Sequence, residues 1–133
     1  MRKLLFIFLV FAAPLLSVAQ TNMPSIPFVG SKISLGTNGV AMAEAAASIV
    51  RSNADMNVIV QSYGNENKKA QQLSWDRTNA VKRYLVDKEG INEDRIIFQY
   101  GGEGDGNMVD LKLTKEEGPN AVPPPSPNLR RKN

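Results

Sequence analysis

The chain of 133 residues contains no cysteine and no histidine. Those two absences exclude disulfides, Cys/His zinc sites, thioredoxin-type redox chemistry and every Ser-His-Asp or Cys-His nucleophile. The acylated cysteine of a bacterial lipoprotein is excluded with them. Aromatic residues are sparse at 7%, with a single tryptophan, Trp75. Carboxylates are present, but no Asp or Glu pair has a catalytic motif around it, so no catalytic residue, metal ligand or cofactor is expected.

A charge of one sign is also missing from the body of the chain. The formal net charge is +3, but Arg2 and Lys3 sit in an N-terminal leader. Thr114 to Asn133 adds four bases, Lys115, Arg130, Arg131 and Lys132, against Glu116 and Glu117. What lies between carries 10 bases and 11 acids. A nucleic-acid-binding domain shows a basic stripe on its folded part, and no nucleic-acid partner is expected here.

Three segments follow from composition. Residues 1–19 have the form of a secretory signal peptide: Arg2-Lys3, the apolar run Leu4 to Ala13, then Pro14 and the small residues of Ser17-Val18-Ala19. From Leu4 to Ala19 the run is 16 residues, below the ~20 needed to span a bilayer. Export, cleavage before Gln20 and no membrane span after signal removal are therefore expected. Residues 20–113 form the candidate domain. Residues 114–133 hold five of eight prolines, and a disordered or polyproline-like tail is expected.

Within the domain, Ile26 and Phe28 suggest a short edge strand beside Pro24 and Pro27. Thr37 or Asn38 can cap a helix from about Gly39 to Arg51, with Met42, Ala46, Ile49 and Val50 inward. Asn57 to Tyr63 is a β-branched strand. A second helix spans about Lys68 to Glu89 and stops at Gly90. Asp94 to Tyr100 and Met108 to Leu113 alternate as strands, joined by the glycine-rich Gly101 to Asn107 as a flexible hairpin. The order β-α-β-α-β-β gives an α/β (α+β) two-layer sandwich with both helices on one face of a mixed sheet. The first three strands are expected to be parallel and the last two to pair.

On the second helix, Leu73, Ala80, Val81, Tyr84 and Leu85 form the inward arc, and Arg77 falls in its middle. A guanidinium there cannot deprotonate and is costly to leave unpaired. It must reach a carboxylate such as Asp110, a set of carbonyls, or an external anion. Trp75 falls on the outward arc, where it covers the tail or marks a partner surface. Lys68, Lys69, Lys82 and Arg83 read as solvated surface.

The run Leu73-Ser74-Trp75-Asp76-Arg77-Thr78-Asn79-Ala80-Val81-Lys82-Arg83-Tyr84-Leu85 resembles the Leu-Ser-x-x-Arg helix of OmpA-like C-terminal domains. Gly90-Ile91 and Arg95-Ile96 extend the match. The resemblance implies a periplasmic or outer-membrane-associated, non-enzymatic module that holds peptidoglycan non-covalently. It places Arg77 on the carboxylate of the stem peptide's diaminopimelate. The family's aspartate, which takes the ligand's ammonium, corresponds to Asn65, and its Asn-Arg-Arg-Val segment to Gly106-Asn107-Met108-Val109. The candidate peptidoglycan-binding residues are thus Arg77, Asn65 and Asn107. With Asn65 uncharged and both arginines gone, the resemblance implies weak binding. The alternative is a degenerate module that joins an envelope protein in a periplasmic or outer-membrane assembly.

Overall fold

The computed structural model describes residues 23–125. The expected signal peptide and the last eight residues of the tail lie outside that range. The elements are β1 (Ile26–Pro27), α1 (Thr37–Ser52), β2 (Asn57–Tyr63), α2 (Lys68–Asp87), a 3-10 turn (Glu93–Arg95), β3 (Ile96–Gly102) and β4 (Met108–Thr114). No helix among the described residues is long and apolar enough to cross a membrane.

The strands form one mixed sheet in the order β1-β4-β2-β3. β2 and β3 are parallel, while β4 runs antiparallel to both β1 and β2. β1, β2 and β3 therefore point the same way, as expected. The pairing of the last two strands is different: β4 does not fold back on β3 but crosses β2 and inserts between β2 and β1. Val109, Leu111 and Leu113 are all buried, and a central position covers them on the helix side. The connection is not the two-residue turn that a tight hairpin requires, and crossing β2 displaces it by two strand spacings, about 10 Å. It is also packed rather than loose. A Cβ at Gly104 would lie 2.7 Å from Tyr63 Cδ1.

The core lies between the sheet and the two helices. Val58 and Val60 of β2, Ile96 of β3 and the inward residues of β4 face Ala43, Ala46, Ala47 and Val50 of α1 and Val81 and Leu85 of α2. The alanines of α1 permit its close approach. Its buried stripe is rotated from the expected one, leaving Met42 37% exposed. α1 also starts at Thr37, with Gly36 at the N-cap position and no side-chain cap, so neither Thr37 nor Asn38 caps it. At its other end Arg95 donates to the carbonyls of Val50, Asn53 and Met56 at 2.7–2.9 Å. A cation at a helix C-terminus suits both the open carbonyls and the dipole.

α2 is tied to the sheet by a buried hydroxyl cluster. Ser62 Oγ of β2 lies 2.6 Å from Ser74 Oγ and 2.7 Å from Thr78 Oγ1. Thr78 donates to Gln99 O at 2.7 Å, and Gly101 N–H donates to Ser74 Oγ at 2.8 Å. These bonds fix the rotation and height of the helix that carries Arg77. Thr78→Val removes the donor to Gln99 O and one hydrogen-bond partner of the buried Ser62 hydroxyl. Chemical denaturation should show a loss of about 1–3 kcal/mol.

Candidate functional site

Three loops meet at the sheet end where β1, β2 and β3 terminate and β4 begins. They are the β1–α1 segment, the β2–α2 turn and the β3–β4 crossover. In open α/β sheets ligands collect at the carboxyl ends of parallel strands, and Arg77 enters this end from below, on α2.

Its side chain is 1% exposed. Nε donates to Lys32 O at 2.9 Å, Nη1 to Gly106 O at 2.7 Å and Nη2 to Gly30 O at 2.7 Å. The guanidinium carbon stands 5.0 Å from the centroid of the Phe28 ring, within cation–π range. Burial lowers the pKa of Arg77 from its usual value. Of the three partners that the sequence allowed, the set of carbonyls is the one observed. The ion pairs among the described residues are Arg51–Glu89, Lys82–Glu93, Arg83–Asp87 and Lys115–Asp55, and Arg77 is in none of them. Asp110 is engaged elsewhere, accepting from Ser25 Oγ and Tyr63 Oη, each at 2.6 Å.

Asn107 lies next to the Gly106 carbonyl on Arg77. Its own carbonyl accepts from Phe28 N–H at 2.7 Å, so it holds the end of β1, while its side chain is exposed. Asn65 is exposed on the other flank of the same loop cluster. Its neighbour Gly64 donates to Gly102 O at 2.9 Å. The φ of +134° at Gly64 turns the chain out of β2 in a conformation that side chains resist. Arg77 and Asn107 are thus joined through one carbonyl. Asn65 shares their sheet end but makes no direct bond to the arginine among the described residues.

A cleft of about 370 Å³ opens beside Phe28, lined by Lys32, Ser34 and the first turn of α1. A second, of about 580 Å³, lies on the sheet face away from the helices, around Gln61, Tyr63, Gln99, Asp110 and Lys112. Burial and the bond to Asp110 push the Tyr63 pKa up to about 12.

Sequence reasoning missed Lys82, which is 5% exposed rather than solvated. Its Nζ pairs with Glu93 at 2.7 Å, and that ammonium holds the Glu93 carboxyl below its usual range. Trp75, expected outward, is 8% exposed. Their spacing of seven puts Trp75 and Lys82 on one stripe of α2, a signal that was available.

A family model described as the OmpA family matches residues 28–120. The chain belongs to the OmpA family. Among solved structures, the OmpA-like domain of FopA1 from Francisella tularensis matches with TM-score 0.56 at 18% identity, covering 70% of this chain and 74% of that one. The peptidoglycan-associated lipoprotein from Burkholderia pseudomallei matches at 0.56 and 18%, covering 68% and 89%. The C-terminal domain of Helicobacter pylori MotB matches at 0.61 and 14%, covering 71% and 87%. At these identities the likeness is one of fold. No curated protein matches the chain in sequence. The OmpA family match extends past β4 to residue 120, into the segment expected to be tail.

Two outcomes are expected. Lysine cannot span three diverging carbonyls, so Arg77→Lys and Arg77→Met should each lose at least about 2 kcal/mol of stability in denaturant titrations. For Tyr63, the folded pKa is raised above the ordinary 10, so its stabilisation is full below pH 10 and is lost as pH rises through about 12. Absorbance titration should show a late transition shared with Tyr84, which burial and Glu89 also push up to about 12, and Asp110→Asn should move the Tyr63 part of it back toward 10.

Proposed function

We propose that this OmpA-family domain is a non-enzymatic module of the bacterial envelope that associates weakly and non-covalently with peptidoglycan, through the sheet end occupied by Arg77, Asn65 and Asn107. One observation carries the reading: a buried guanidinium satisfied by dipoles alone. A carboxylate partner would cancel the positive charge of Arg77. Three carbonyls satisfy its hydrogen bonds but leave the net charge, whose field falls off more slowly than that of the dipoles. The sheet end therefore stays attractive to an anion, and a carboxylate is a stronger acceptor for a guanidinium than a carbonyl is.

The stem-peptide carboxylate would replace Gly30 O and Lys32 O on the guanidinium, with the β1–α1 segment moving aside. Displacing those bonds costs binding energy, and Asn65 offers the ligand's ammonium an acceptor without charge. Both effects predict low affinity. The names of two structural neighbours, a peptidoglycan-associated lipoprotein and an OmpA-like domain, support the envelope setting. Location in the periplasm or at the outer membrane follows from that setting together with the expected leader.

Co-sedimentation with purified peptidoglycan tests the reading. Because Arg77 also ties two loops together, the informative variant is the exposed Asn65→Asp. It restores a charge opposite the ligand's ammonium and should raise affinity about tenfold, the equivalent of about 1.4 kcal/mol. Free diaminopimelate should compete. If neither the wild-type chain nor Asn65→Asp sediments with the wall, peptidoglycan binding is refuted.

A second reading has its own observation. Val29 and Ile33, on the segment that covers Arg77, are 72% and 48% exposed. Apolar side chains at the tip of a binding-site loop suit an envelope protein as partner. Val29→Ser with Ile33→Ser should leave wall sedimentation intact if the wall is the ligand, and abolish association if a protein is.

A further inference from the structure

The C-terminal segment after β4 lies along the outer edge of β3, whose only strand neighbour among the described residues is β2. Four of its carbonyls accept hydrogen bonds from the domain. Asn57 Nδ2 donates to Glu116 O at 2.7 Å, and Phe98 N–H to Pro119 O at 2.8 Å. Lys82 Nζ donates to Asn120 O, and Trp75 Nε1 to Val122 O at 2.7 Å. Beneath the strap, the Trp75 and Phe98 rings sit 5.5 Å apart, and Lys82 Nζ lies 5.9 Å from the Phe98 centroid. Gly118 rests on Ile97 so closely that a Cβ would come within 2.8 Å of Ile97 Cγ2. That contact explains why Ile97, on the face away from the core, is nonetheless buried.

All four anchors are main-chain carbonyls, and the side chains from Lys115 to Pro119 are exposed. The groove therefore holds a backbone that presents carbonyls, demands a glycine where Gly118 meets Ile97 and adds only the Asn120–Asp94 and Lys115–Asp55 side-chain contacts. Proline fits such a chain. It has no N–H to satisfy, it favours extended geometry, and an aromatic floor with an indole donor is how grooves for proline-rich segments are built. The tail continues as Pro123-Pro124-Pro125.

We propose that the Trp75–Lys82–Phe98 edge is a docking groove for a peptide segment that presents main-chain carbonyls, and that the chain's own residues 116–122 occupy it in cis as a detachable strap. The tail protects the β3 edge from indiscriminate pairing and yields it to a competing segment. This is independent of wall binding, which concerns the other edge of α2 and the loops over Arg77.

Trp75 is the only tryptophan, so its fluorescence reports the groove directly. In the full chain, Gly118→Val should lift the strap, giving red-shifted emission and stronger acrylamide quenching while the cooperative thermal transition persists. A synthetic peptide of residues 115–125 should then restore the wild-type emission in a saturable way. The concentration needed should not exceed about 1 mM, the level a short tether supplies in cis. Should Gly118→Val lose the cooperative transition, the pair Asn57→Ala and Lys82→Met replaces it, removing two donors without a clash. Unchanged emission in both variants, or a peptide without effect on the opened chain, overturns the proposal. Recovery of the emission only with rising protein concentration and a dimeric mass also overturns it, because the occupant would then be the tail of a second copy.

Discussion

The guanidinium of Arg77 is the joint on which this domain is assembled. It rises from α2 into a place where the β1–α1 segment and the β3–β4 crossover converge, and it supplies each of them with a donor. Without it, the carbonyls of Gly30, Lys32 and Gly106 would crowd one another with no donor between them, and carbonyl dipoles that point together repel. The cation turns that repulsion into the force that closes the sheet end. The hydroxyls of Ser62, Ser74 and Thr78 matter because they set the height of α2, and so decide which carbonyls the arginine can reach. A change in the rotation of that helix would be felt in all three loops at once.

Arg95 performs the same kind of work at the opposite end of the molecule. It gathers the carbonyls of Val50, Asn53 and Met56 where α1 ends. A chain without cysteine has few ways to tie loops together, and planar, multi-donor arginine is one of them. The two arginines differ in what surrounds them. Arg95 lies at the negative end of a helix, which offsets part of its charge. Arg77 has carbonyls and the face of Phe28, and no helix C-terminus or carboxylate among its contacts. Identical hydrogen-bond logic thus leaves one cation partly offset by a helix dipole and the other without that offset.

Much of the architecture was legible in the amino-acid order because it rests on local periodicity. The bounds of β2, the start of β4 and the inward placement of Arg77 follow from alternation or helical spacing, whereas α2 ends at Asp87, before the expected Glu89. What was not legible depends on which strand neighbours which. The alternating pattern of β4 is satisfied equally by a hairpin on β3 and by insertion between β1 and β2, since both put Val109, Leu111 and Leu113 on the helix side. The spacing of seven put Trp75 and Lys82 on one stripe, but what covers that stripe, and Ile97, was not legible for a related reason. A helical wheel assumes that one side of the helix faces solvent, whereas here the tail covers part of that side. Proline content pointed to a segment outside the regular elements; it does not say whether such a chain is docked.

The same distinction applies to the candidate site. Residue spacing could say that Arg77 needed acceptors but not which ones, because Gly30, Lys32 and Gly106 contribute main-chain atoms that every residue possesses. A carbonyl cage leaves no trace in side-chain chemistry. It also has a consequence that an ion pair lacks. Breaking an internal salt bridge to admit a ligand strands a buried carboxylate, which is severely unfavourable. Moving a carbonyl away from a guanidinium releases a neutral group that water at the loop's surface can satisfy. On the proposed function, the cage is the arrangement that would let one arginine both tie the loops together and exchange a carbonyl for an incoming group that brings negative charge.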